Sequence, residues 1–131
     1  MSIEGRIAID IGFTDTHTTE GVQNVQRIAL SVTDSYTSGK AVVLTGTVGT
    51  AVVLLDTAPT TFRDASGSLV SFADTRRVIV ETSRPCEIGD GGNSLVGQTL
   101  CMFQVSGTPQ IEIHQQATSG TSAYTAVFYG T

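Results

Sequence analysis

The chain has 131 residues, with seven Lys and Arg against twelve Asp and Glu for a formal net charge of −5, and it is 40% hydrophobic and 15% charged. That length fits one domain able to bury about two thirds of its unfolded surface, and apolar content this high with charge this low excludes a disordered chain. A single lysine and an acidic balance argue against nucleic acid, whose binding rests on clustered Lys and Arg that release counterions.

At the N-terminus, MSIEGRIAIDIGF has no basic segment followed by an unbroken apolar one, so no secretory signal is expected. Ile3 to Arg6 spell IEGR, which matches the recognition sequence of factor Xa and reads equally as the start of a natural strand or as a tag-removal scar. Ile7, Ile9, Ile11 and Phe13 alternate, and a period of two puts them on one face of a strand. Residues 14–26, TDTHTTEGVQNVQ, are polar and weakly patterned. With the first strand they make an expected N-terminal strand and polar arm, residues 1–26, ahead of a β-domain over residues 27–131. Asp15, His17 and Glu20 offer oxygens and an imidazole there, but in a polar segment they read as solvated side chains, and no metal site is expected.

Alternation recurs in RIALSV (Ile28, Leu30, Val32), in QIEIH (Ile111, Ile113) and in SAYTAVFYG. Unbroken apolar runs at 41–44, 51–55, 77–80 and 100–105 are the expected form of strands covered on both faces. The run KAVVLTGTVGTAVVLL is too short and too interrupted to span a membrane, and no membrane partner is expected. Apolar residues nowhere recur at helical spacing over three turns. Turn clusters fall at TSGK (37–40), DASGS (64–68), GDGGN (89–93), SGTP (106–109) and TSGTS (118–122), where Gly supplies positive φ and Asp, Asn and Ser bond their own backbone. About a quarter of the residues are Ser or Thr, and β-branched Thr suits exposed pleated surface. The expected fold is all-β: an antiparallel β-sandwich or small barrel, jelly-roll-like, of eight or nine short strands.

CEIGDGGNSLVGQTLC, residues 86–101, has the strongest chemical appearance in the chain. A phosphate loop needs its glycines between a strand and a helix, with Lys following in the nucleotide version; here another strand follows. Asp90 and Asn93 do not have the spacing of a calcium loop. The stretch reads as a hairpin turn. If it is centred near Asn93, Cys86 and Cys101 fall nearly opposite one another, which permits a cross-strand disulfide when their Cβ vectors also face. In a reducing compartment the same residues are two buried thiols. Neither a C-x-x-C pair nor suitably spaced histidines accompany them for zinc.

His17 and His114 lack a third partner that would make either a general base, G-x-S-x-G is absent, and SGS at 66–68 lies in a turn. No catalytic residue and no cofactor are expected. Arg76, Arg77 and Arg84 form the densest positive cluster, beside Asp74 and Glu81. Local ion pairing explains most such clusters; as contact residues they fit an acidic patch on a partner protein.

From about Lys40 to Thr131 the pieces TAVVLLD, FRDASGSLVSF, RRVIVET, IGDGG and YTAVFYGT follow one another in an order that resembles small β-sandwich proteins in the virions of tailed bacteriophages, of the capsid decoration or cement type. The resemblance is one of pattern and composition, and no functional residue is carried over from it. It implies a structural virion protein, made in the host cytoplasm, that binds the outer surface of a capsid lattice and stabilises it. Its implied partners are the major capsid protein and neighbouring copies of itself, as a homo-oligomer with a trimer favoured. The alternatives are a tail or fibre component of the virion, or a carbohydrate-binding or adhesin module on the same kind of fold. Sugar sites present aromatic platforms, and Tyr36 in SYTSG is the one loop aromatic available for that role.

Overall fold

The computed structural model describes residues 2–17, 22–37, 40–90 and 93–131. In the first two strands it describes side chains only at Ala8 and at Ala29, Leu30 and Ser31. The described residues are all-β, and no helix long and apolar enough to cross a membrane is found among them. They divide into two compact units, one of Glu4–Ser35 and one of Tyr36–Thr131 with Met1–Ile3.

The smaller unit is made of most of β1 (Ser2–His17) and β2 (Val22–Thr37), which form a two-stranded sheet. Consecutive side chains in a strand point to opposite faces, and Ala29, Leu30 and Ser31 are all exposed. Neither face of β2 is packed at that point. The weakly patterned segment 14–26 falls on the end of β1 and the start of β2, with residues 18–21 outside the described set.

The larger unit contains β3 (Ala41–Val48), β4 (Val53–Asp56), β5 (Thr75–Gly89), β6 (Ser94–Gln104), β7 (Gln110–Gln115) and β8 (Ser122–Gly130). Every pairing is antiparallel, in the order β3-β8-β5-β7-β4, with β6 on the other edge of β5. The sheet curls into a half-barrel, and β5 sets the curl. Its first half pairs with β8 down to Thr82↔Tyr124, and its second half pairs with β7 from Cys86↔Gln115. Ser83, Arg84 and Pro85 lie between. Pro85 has no N–H to give a ladder, and hydroxyls take over. The Arg84 N–H donates to Ser122 Oγ at 3.1 Å, the Ala123 N–H to Ser83 Oγ at 3.0 Å, and Thr82 Oγ1 to the Arg84 carbonyl at 2.8 Å.

The concave face holds the core, in which Val42, Val48, Val78, Val80, Cys86, Ile88, Cys101, Ile111, Ile113, Ala126 and Phe128 are buried. The long β4–β5 connection covers it by inserting Phe62 and Phe72. The Phe62 ring meets Phe128 edge-on at 4.9 Å and Phe72 at 5.6 Å, separations at which aromatic pairs attract. The DASGS turn forms as its residues dictate: Asp64 Oδ1 accepts from the N–H groups of Ser66 and Ser68, both at 2.9 Å, and Arg63 bridges to Leu69 across it.

Two expectations need correction. Cys86 and Cys101 are not opposite one another: Cys86 pairs with Gln98, and Cys101 with Val80. The hairpin closes at Gly89↔Ser94, two residues earlier than a turn centred on Asn93, and the register shifts between Glu81 and Cys86 and again before Ile88. Gly97, with φ +74°, lies in β6 opposite this irregularity, in a conformation that a residue with a Cβ rarely adopts. Both cysteines are free and buried. The second correction concerns the apolar runs at 41–44, 51–55 and 100–105, which are not covered on both faces, whereas 77–80 has Arg77, Val78 and Val80 buried and Ile79 half-buried. Val43 in β3, Leu54 in β4 and Leu100 in β6 are 55%, 54% and 60% exposed, because their side chains stand on the convex face, where no described element packs over them.

Candidate functional site

Antiparallel pairing places directly opposed residues on the same face, so the register gives the composition of the convex surface. Val43 pairs with Val127, Val127 with Ile79, and Ile79 with Met102. Four apolar side chains thus form one row across β3, β8, β5 and β6, about 14 Å wide at the usual strand spacing. The next row is Thr45, Thr125, Glu81 and Leu100; the row on the other side is Ala41, Tyr129, Arg77 and Gln104. Val127 and Ile79 are half-buried, while Val43, Leu100 and Met102 are exposed. Leu95 and Val96, near the start of β6, are also exposed, but as neighbours in a strand they face opposite sides of the sheet, Leu95 lying opposite the buried Ile88. Scattered exposed apolar residues are normal, but a contiguous set marks a surface that associates.

Of the three arginines expected to act together, Arg76 and Arg77 are adjacent at the start of β5, where the pairing with β8 shifts register between Thr75 and Arg77. Arg77 is buried at 8% exposure beside Tyr129 at 5%. Arg84 lies seven residues further on, about 23 Å along an extended strand, where its Nη1 donates to the Ser119 carbonyl at 3.3 Å. Tyr36 lies in β2, and its side chain falls outside the described residues, as do those of Asp15, His17 and Glu20. The other tyrosines are packed: Tyr124 against the core, where burial pushes its phenol above the ordinary value of 10.0, and Tyr129 in the sheet.

The polar groups most suggestive of chemistry are Glu87, Ser94 and His114. Ser94 Oγ donates to Glu87 Oε1 at 2.7 Å, and His114 Nδ1 stands 4.0 Å from Glu87 Oε2. Here the carboxylate lies between the hydroxyl and the imidazole. A nucleophilic serine needs the imidazole against its own oxygen, so this order cannot activate Ser94. His114 and Glu87 are also largely exposed, where an ion pair contributes little. Burial pushes the Cys101 thiol above its ordinary value, which keeps it protonated and a poor nucleophile at neutral pH. Gln115 is buried, and its Nε2 donates to the carbonyls of Ala117, Ser119 and Gly120, organising the β7–β8 loop. Among the described residues no group of three or more His, Cys, Asp or Glu could hold a metal ion.

Sequence alone does not show the apolar row, because an unbroken apolar run has the same pattern as a strand buried on both faces. The available signal was charge: β6, SLVGQTLCMFQ, contains no Asp, Glu, Lys, Arg or His. Searches against protein-family models, curated proteins and solved structures find no match to this chain.

Proposed function

We propose that the protein is a non-enzymatic structural part of an assembly, a virion protein that binds the outer surface of a capsid lattice as decoration and associates with copies of itself. The observation that carries this reading is the convex row Val43–Val127–Ile79–Met102 with Leu100 beside it, an apolar surface on a rigid sheet. Burying such a row against a neighbour yields about 25 cal/mol per Å² of apolar area. The Ser94–Glu87–His114 order supports a part without catalysis. The sandwich or jelly-roll-like arrangement expected from the strand pattern belongs to this proposal too, with a lattice or partner surface covering the outward face of the half-barrel. A ribbon of two 16-residue strands suits an arm that engages an adjacent subunit by main-chain pairing.

The test is co-sedimentation of the chain with large particles from its source, with copy number read by peptide mass spectrometry. Stoichiometry with a major shell protein is the expected result. A few copies per particle would assign the protein to a tail or fibre, and absence from particles would sink the virion reading and turn the search to glycans, with Tyr36 the first residue to mutate.

A further inference from the structure

We infer that β6 is a self-association strand: the β6 edges of two copies pair antiparallel about a two-fold axis, so that the curled sheet of one copy continues into the other. This goes beyond lattice binding and names the partner of one particular edge.

Three observations lead to it. First, β6 uses one edge to pair with β5, and no described strand pairs with its other edge. The Val105 N–H donates to the Arg76 carbonyl at 3.1 Å, one step beyond the pair Arg77↔Gln104. Bonding alternates along an antiparallel ladder, so Leu100, Met102 and Gln104 direct their N–H and C=O groups to the free edge. The same residues carry side chains on the convex face. One strand therefore offers main-chain hydrogen bonds and apolar area together.

Second, the edge is undefended. Monomeric proteins protect long edge strands with lysines, prolines, inward charges or bulges. β6 has no ionisable side chain apart from Cys101, which is buried, and no proline. Its one bulge-associated glycine, Gly97, and the register shift beside Gln98 lie outside the regular stretch from Leu100 to Gln104 and leave that stretch open.

Third, charge selects the occupant. Two copies of a chain with net charge −5 repel unless they meet through neutral surface. Among the described residues, the carboxylate paired directly across from this stretch is Glu81, opposite Leu100 on β5. In the paired arrangement the two Glu81 side chains are three strand spacings apart, about 14 Å, beyond the Debye length of about 8 Å at physiological salt. A neutral strip that holds its own carboxylates at that distance complements itself. Pairing about Cys101 puts Leu100 of one copy beside Met102 of the second copy on both sides of the axis, an isologous contact that closes at two.

The experiment is the solution mass of the purified full chain by light scattering, for wild type, Leu100→Lys and Leu54→Lys. Wild type and Leu54→Lys should have twice the 13.7 kDa chain mass, and Leu100→Lys should have the single-chain mass with unchanged far-ultraviolet circular dichroism, since Leu100 is already exposed. Amide hydrogen exchange of the wild type needs no variant: protection of Leu100, Met102 and Gln104 should fall on dilution. A wild-type monomer, a trimer, or a Leu100→Lys variant that stays dimeric would overturn the inference. The particle experiment is separate. Dimers absent from particles would leave β6 pairing standing and remove the lattice reading, and stoichiometric monomers on particles would do the reverse.

Discussion

Asp64 shows how much of this fold is decided by single polar atoms. Its Oδ1 accepts from Ser66 Oγ at 2.6 Å and from the N–H groups of Ser66 and Ser68 at 2.9 Å. These bonds favour the charged form, and the Ser66 hydroxyl leads the donors that hold the carboxyl below its ordinary value of 3.8. A folded value below the unfolded one means that the group's stabilising contribution is complete above the unfolded value and is lost as pH falls through the folded one. The turn linking Arg63 to Leu69 is therefore expected to be intact at neutral pH and to loosen only in acid below 3.8. In carbon-detected NMR the Asp64 carboxyl should titrate below 3.8 in the wild type and shift upward in Ser66→Ala. An unshifted wild-type midpoint would show that these bonds do not hold the carboxylate in solution.

At the scale of elements, the junction between β5 and β8 leaves no room for a side chain at Gly130. A Cβ on Gly130 would stand 2.0 Å from the Asp74 carbonyl oxygen and 2.9 Å from Thr75 Cα. Both obstacles are backbone, so a larger residue forces the start of β5 away from the end of β8. Gly130→Ala should cost about 1–3 kcal/mol, the range for overpacking a close-packed site, read as a lower urea midpoint at unchanged slope. The strands themselves were largely legible. QIEIH reads in from out correctly, with Ile111 and Ile113 buried and Glu112 and His114 exposed, because a period of two survives any context that buries one face. What sequence could not reveal were consequences of register. The opposition of Cys86 and Cys101 fails first on the position of the turn: closure at Gly89↔Ser94 by itself sets Cys86 opposite Gly97, and the irregularities between Glu81 and Ile88 move it only to Gln98. The candidate site was illegible for the same reason: Val43, Val127, Ile79 and Met102 come from four strands between residues 43 and 127 and form a row only once the pairing is known. Arg84, close in sequence to Arg76 and Arg77, is held apart from them by the length of a single strand.

For the whole molecule, the distribution of the core determines what can fold alone. Among the described residues, every member of the buried cluster lies between Val42 and Phe128, and the ring pairs among Phe62, Phe72 and Phe128 close it. The ribbon of β1 and β2 is a separate two-stranded sheet, and a two-stranded sheet by itself is at best marginally stable in water. The stabilities of the two units should therefore differ: opening of the ribbon costs little, and the β3–β8 unit unfolds as one. A chain beginning at Tyr36 is expected to keep a β-sheet circular dichroism spectrum and a single cooperative thermal transition, with a midpoint close to that of the full chain. Hydrogen exchange on the full chain should agree, with amides of β1 and β2 exchanging well before those of Val78, Val80 and Phe128. Loss of the cooperative transition in the shortened chain would mean that the ribbon contributes to the stability of the larger unit, and the reading of it as an arm available to a neighbour would have to be abandoned.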